Sequence, residues 1–102
     1  MADRLEALKT MVGQNPSDCR IRFMLAKDLG NAGKLEDALR EYETILKADP
    51  DYVAAYYHGG QTLEQLGRTD EARAIYQRGI EACTRNGDTH TRTELEEAVA
   101  AL

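Results

Sequence analysis

The chain is poor in the residues that small catalytic, metal-binding or disulfide-bonded proteins rely on. Its 102 residues include two cysteines, Cys19 and Cys83, far apart and outside any CxxC or CxxH spacing, and two histidines, His58 and His90. Neither a disulfide framework nor a structural metal site is expected from such a set. The one serine, Ser17, follows Pro16 at a place suited to a helix cap, which leaves no serine for a nucleophile-base pair. Tryptophan is absent, and the apolar runs are only a few residues long, too short to span a membrane. The opening MADRLEALKTMVGQ interleaves charges with its apolar residues, unlike a secretory signal, so a cytoplasmic location is expected. A net charge of -5 disfavours a general nucleic-acid surface, which needs clustered Lys and Arg.

What the sequence does have is internal repetition. Pro16 and Pro50 stand 34 residues apart, in Asn15-Pro16-Ser17 and Asp49-Pro50-Asp51. The same offset pairs Leu29 with Leu63, Gly33 with Gly67, Ala38 with Ala72, Tyr42 with Tyr76 and Ala48 with Ala82. Conservative pairs lie between them: Lys34/Arg68, Glu36/Asp70, Asp37/Glu71 and Leu46/Ile80. Leu25, Ala26 and Leu29, then Leu35, Ala38, Leu39, Tyr42, Ile45 and Leu46, follow helical spacing on either side of Asn31-Ala32-Gly33-Lys34. Each unit therefore reads as a helix, a glycine turn and a second helix.

Ala26, Leu29, Gly33, Ala38, Tyr42 and Pro50 in one copy, and Gly60, Leu63, Gly67, Ala72 and Tyr76 in the next, resemble the tetratricopeptide repeat. The resemblance covers about two thirds of the chain. It implies an all-α, right-handed superhelix of antiparallel helix pairs. Arg22 stands where that family usually carries a bulky aromatic, which Tyr56 restores in the second copy. Gly59 replaces an expected Leu, Ile45 and Gly79 replace an expected Ala, and Thr84 replaces the closing Pro. Two repeats need flanking caps. Leu5, Leu8, Met11 and Val12 form one stripe, and Leu95, Ala98, Val99 and Leu102 another, after a turn where Asp88 or Thr89 can cap. The expectation is one domain over 1–102: a flanking helix in 1–16, repeats at 17–50 and 51–84, and a capping helix in 85–102. Six helices are placed at roughly 2–14, 17–31, 35–48, 52–66, 69–84 and 88–101.

Ala55-Tyr56-Tyr57-His58-Gly59-Gly60-Gln61 invites a catalytic or phosphate-loop reading, but it lacks the Lys-Ser/Thr of a nucleotide loop and no strand precedes it. The repeat makes it helical, with Gly60 at the close helix contact and Tyr56 turned inward. The acidic pairs Glu36/Asp37, Asp70/Glu71 and Glu96/Glu97 are assigned to helix starts, and Glu36–Arg40 and Glu43–Lys47 to surface ion pairs. No catalytic residue, metal or cofactor is expected.

The resemblance directs attention to a concave groove lined by the first helices of the repeats. Helical geometry turns Arg20, Phe23, Met24, Lys27 and Asn31 toward it, and in the second copy Ala54, Tyr57, His58, Gln61 and Gln65. The binding residues assigned are Arg20, Phe23, Met24, Lys27, Tyr57, His58 and Gln61: apolar anchors mixed with donors, suited to a peptide or protein segment that is acidic or bears a carboxylate. Some relatives grip a carboxy-terminal tail with Lys and Asn. Here Phe23 and Lys27 occupy the first two positions and His58 a third, with Arg92 near a further one, so that specific clamp is not reproduced. The alternatives are a terminal helix folded across the groove, covering Phe23, Met24 and Tyr57, and a self-associating structural module whose groove or edge forms a homodimer interface; a monomer or weak homodimer is expected. Neither nucleic acid nor membrane is an expected partner.

Overall fold

The computed structural model describes residues 3–102 and contains six α-helices: α1 (Arg4–Gln14), α2 (Cys19–Asn31), α3 (Leu35–Ala48), α4 (Val53–Gln65), α5 (Thr69–Asn86) and α6 (Thr89–Ala100). The expected helix start at residue 2 lies outside the described residues. Successive helices pack on one another, α4 also meets α2 and α6, and the result is an all-α solenoid of helix pairs. The first helices of the pairs thus stand side by side, while among the described residues α6 does not reach α2.

Glycine makes the turns inside both pairs. Gly33 and Gly67 adopt φ of 79° and 75°, a left-handed backbone that side chains with a Cβ disfavour. The following amides, Lys34 N and Arg68 N, close back on the Leu29 and Leu63 carbonyls at 2.9 Å, satisfying the ends of α2 and α4.

Where the sequence has Pro50, α3 stops at Ala48. With Thr84 in the corresponding place, α5 continues two residues past its expected end and stops at Asn86 before left-handed Gly87. The cap of α2 also differs from expectation. Asp18, not Ser17, accepts from the Arg20 and Ile21 amides at 3.0 and 3.3 Å, because the Pro16-Ser17 turn sets the helix start at Cys19. At the last helix Asp88 is the cap, accepting from Thr91 N at 3.0 Å.

The surface charges pair differently from the four-residue spacing. Arg40 bonds Asp37, Glu36 faces Arg68 at 3.5 Å across the repeat boundary, and Glu43–Lys47 forms no ion pair. Glu36/Asp37 and Asp70/Glu71 occupy first turns, but Glu96/Glu97 lie in the second half of α6, where Glu96 faces Arg92 at 3.5 Å.

The α4–α5 pair is set by aromatic rings seated on small residues. A Cβ on Gly60 would stand 2.1 Å from Tyr76 Cε1, and one on Gly79 2.6 Å from Tyr56 Cβ. Gly59 is explained as well: Ile75 Cδ1 lies 3.0 Å from the place of its missing Cβ and Tyr42 Cβ 3.5 Å, so neighbours occupy the room a Leu would take. Arg22, for its part, does the polar work of the aromatic it replaces. Its guanidinium donates to the Pro16 carbonyl at 3.1 Å, as the Tyr56 hydroxyl donates to the Pro50 carbonyl at 2.6 Å, one repeat later. Arg22 also pairs with half-buried Glu41 at 2.6 Å.

Replacing the two adjacent helical glycines has opposite consequences. Gly60→Ala drives a methyl group into the buried Tyr76 ring and lowers stability by about 1–3 kcal/mol, the cost of overpacking. Gly59→Ala meets the flexible end of Ile75 and, at an ordinary contact distance, Tyr42, so the gain in helix propensity of up to about 1 kcal/mol leaves it neutral or slightly stabilised. Urea denaturation of the two variants checks this; equal losses would contradict it.

Candidate functional site

Between α2 and α4 a cavity of about 430 Å³ opens on the side shared by the first helices. Lys27, Gly30 and Asn31 line it from α2, Tyr42 from α3, and His58, Gln61, Thr62, Glu64 and Gln65 from α4. Of the residues turned toward the groove by helical geometry, Lys27, Asn31, His58, Gln61 and Gln65 therefore come together. Arg20, Phe23, Met24 and Tyr57 do not line this cavity.

Phe23 and Tyr57 instead belong to an aromatic seam joining the repeats. Phe23 lies 5.5 Å from Tyr52, 5.9 Å from Tyr42 and 5.4 Å from His58 between ring centroids; Tyr57 lies 5.4 Å from His58 and 6.5 Å from Tyr76. These are edge or tilted contacts of the favourable kind. Phe23 is thus half-covered by the repeats' own rings rather than by α6. Met24 remains 41% exposed, and Arg20, whose guanidinium is 3.9 Å from its capping neighbour Asp18, is exposed.

His58 is the hinge between seam and cavity. It stacks on Tyr42 at 6.3 Å with an interplanar angle of 19°. Burial among these rings, reinforced by the Lys27 charge, pushes its pKa below the ordinary 6.5, while Glu94 of α6 and Gln61 act in the other direction. The neutral imidazole is therefore the resident form at neutral pH. Thr62, buried, returns its hydroxyl to the His58 carbonyl at 2.8 Å and is satisfied within the helix.

Tyr42, Gly30, Thr62 and Glu64 were not identified as lining residues from the sequence. Tyr42 reads as a core residue, and it is nearly buried; burial raises its phenol pKa to about 12. The signal that exposes the cavity is an asymmetry between copies. At the repeat offset Gly30 corresponds to Glu64, so α2 lacks a side chain where α4 has a long one.

Stacked helix pairs that present their first helices on one side define a helical-repeat scaffold. The family model described as tetratricopeptide repeat matches residues 23–86, well over half of the chain, and the chain belongs to that family. A tetratricopeptide repeat domain protein from Salinibacter ruber, solved in solution, is 36% identical, covers 84% of this chain and 87% of its own, and superposes with a TM-score of 0.80. A protein from Bordetella parapertussis is 28% identical over 99% of this chain and 88% of its own, with a TM-score of 0.84. A TPR repeat-containing protein of Pseudomonas aeruginosa is 25% identical over 91 residues, which cover 89% of this chain and 87% of that one. The fold is that of a protein–protein interaction module. No helix among the described residues is long and apolar enough to cross a membrane.

The lowered pKa of His58 has a signed consequence. Above about pH 6.5 both folded and unfolded chains carry the neutral ring; below it the unfolded chain takes up the proton first, so the associated stability falls as pH drops toward the folded pKa. Wild-type protein loses more stability than His58→Gln between about pH 7.5 and about pH 5.5. The Glu71 and Asp88 carboxylates, both held below their ordinary pKa by hydrogen bonds from Arg68 and Thr91, act only at lower pH. Urea midpoints at the two pH values test this, and identical losses would contradict it.

Proposed function

We propose that the chain holds a peptide or protein segment bearing an acidic side chain or carboxylate along the face shared by α2 and α4. The carrying observation is the cavity: it combines the Lys27 ammonium with the amides of Asn31, Gln61 and Gln65, in a chain whose overall charge is negative. Among the described residues Lys27 has no ion-pair partner. A cation left open in an acidic protein attracts an anionic partner, and neighbouring amides can bond that partner's main chain. Exposed Met24 and the half-buried Phe23 and Tyr57 supply apolar surface beside it, and Arg20 a second cation. In this reading the module acts as an adaptor without chemistry of its own.

The test uses an acetylated peptide of about eight residues alternating Glu and Leu, titrated into labelled protein while amide resonances are followed. Perturbations fall on α2 and α4, and Lys27→Glu weakens binding several-fold while the circular dichroism spectrum is unchanged. Perturbations confined to α3 and α5 would contradict the assignment. Light scattering across concentration separates the self-association reading, in which the mass rises with concentration and the peptide reverses the rise.

A further inference from the structure

The two copies of the repeat treat their shared tyrosine differently. In the second, the Tyr76 hydroxyl hydrogen-bonds the Glu64 carboxylate one turn beyond Gly60, so the phenol is satisfied by the first helix of its own pair. In the first, Tyr42 occupies the equivalent place, but the counterpart of Glu64 is Gly30. Among the described residues the Tyr42 hydroxyl has no side-chain or backbone partner, and no buried side-chain polar atom is left unpartnered. The hydroxyl therefore retains access to solvent space, and both Tyr42 and Gly30 line the 430 Å³ cavity beside Lys27. Tyr42 and Lys27 thus line one cavity in the copy that lacks the carboxylate its counterpart keeps.

Resting on the groove reading above, we propose that a carboxylate supplied by the bound segment enters the space left by Gly30, accepts a hydrogen bond from the Tyr42 hydroxyl and pairs with Lys27. The ligand thereby completes in the first repeat the tyrosine–carboxylate contact that the second makes internally. The carboxylate comes from an acidic side chain or from a chain terminus, and the two sources are separable by probe. A Cβ at position 30 would meet only Ala38 Cβ, at 4.0 Å, and Gly30 has no positive φ, so substitution there is sterically tolerated.

The experiment follows resonances across α2–α5, those of Lys27, Asn31, Tyr42 and His58 in particular, with three blocked probes at millimolar concentration: N-acetylglutamate N-methylamide, N-acetylglutamine N-methylamide and N-acetylleucine with its free carboxylate. The glutamate probe, the leucine probe or both bind saturably, and the one that binds more tightly identifies the source. The glutamine probe binds about tenfold more weakly than the better carboxylate, reflecting loss of the charge-assisted bonds. Tyr42→Phe weakens that carboxylate by a similar factor. Gly30→Glu, which places a carboxylate in the slot, abolishes binding while the circular dichroism spectrum is unchanged. Equal binding of the glutamine probe, insensitivity to Tyr42→Phe, or no response to any probe would overturn the proposal. Shifts on α2 and α4 that ignore both Tyr42→Phe and Gly30→Glu would overturn this pocket yet leave the groove reading standing; shifts confined to α5 and to residues of α3 other than Tyr42 would remove both.

Discussion

Tyr76 is fully buried, and its ring stands where a side chain on Gly60 would begin, so α4 and α5 approach as closely as a helix backbone and an aromatic face permit. The same device works in reverse across the same interface, where Gly79 of α5 admits Tyr56 of α4 and also receives Leu95 of α6. Each contact exchanges helix propensity for the burial of a large ring, and the exchange is favourable: a buried aromatic contributes more than the roughly 1 kcal/mol that an interior glycine costs. The two rings thus lock α4 and α5 from opposite sides of one interface, and Leu95 extends the packing from Gly79 to α6. Toward the first repeat the small residue is Gly59: Tyr42 Cβ of α3, a residue that also lines the cavity between α2 and α4, stands 3.5 Å from the place of its missing Cβ.

Polar groups supplement this packing at the unit boundaries. Tyr56 and Arg22 both donate to the carbonyl of the proline that immediately precedes their own repeat, Pro50 and Pro16 respectively. The aromatic position can thus change chemical type while the hydrogen bond to the boundary persists. Most ion pairs, by contrast, sit on exposed faces, where each is worth at most about 1 kcal/mol. Arg22–Glu41, with side chains 17% and 23% exposed, is screened least. Packing rather than charge accounts for the stack, which leaves the charges of the groove face available for a partner.

The fold was largely legible because periodicity and punctuation agree. Helical spacing around Gly33 and Gly67, the 34-residue offset and the small-residue positions Ala26 and Gly60 identify the pairs without reference to long-range contacts. Cap register was less legible: Ser17 and Asp18 are adjacent residues of capping type, and only the geometry of the Pro16 turn selects the second. Ion-pair partners escaped because Glu36 turns to Arg68, a residue 32 positions away. Within the candidate site, the residues on the exposed faces of α2 and α4 could be read from helical geometry, and Lys27, His58 and Gln61 meet as that geometry implies. The floor could not. Tyr42 carries a core pattern, and the opening above it is produced by a missing side chain at Gly30, which hydrophobic periodicity does not register.

The dependence of the stack on rings seated against glycine is tested most directly by a double-mutant cycle between Gly60→Ala and Tyr76→Leu, read as unfolding free energies. If the Tyr76 ring occupies the place of the added methyl group, most of the cost of Gly60→Ala disappears in the Tyr76→Leu background, giving a coupling of about 1 kcal/mol or more. Additive losses, with no coupling, would contradict the account.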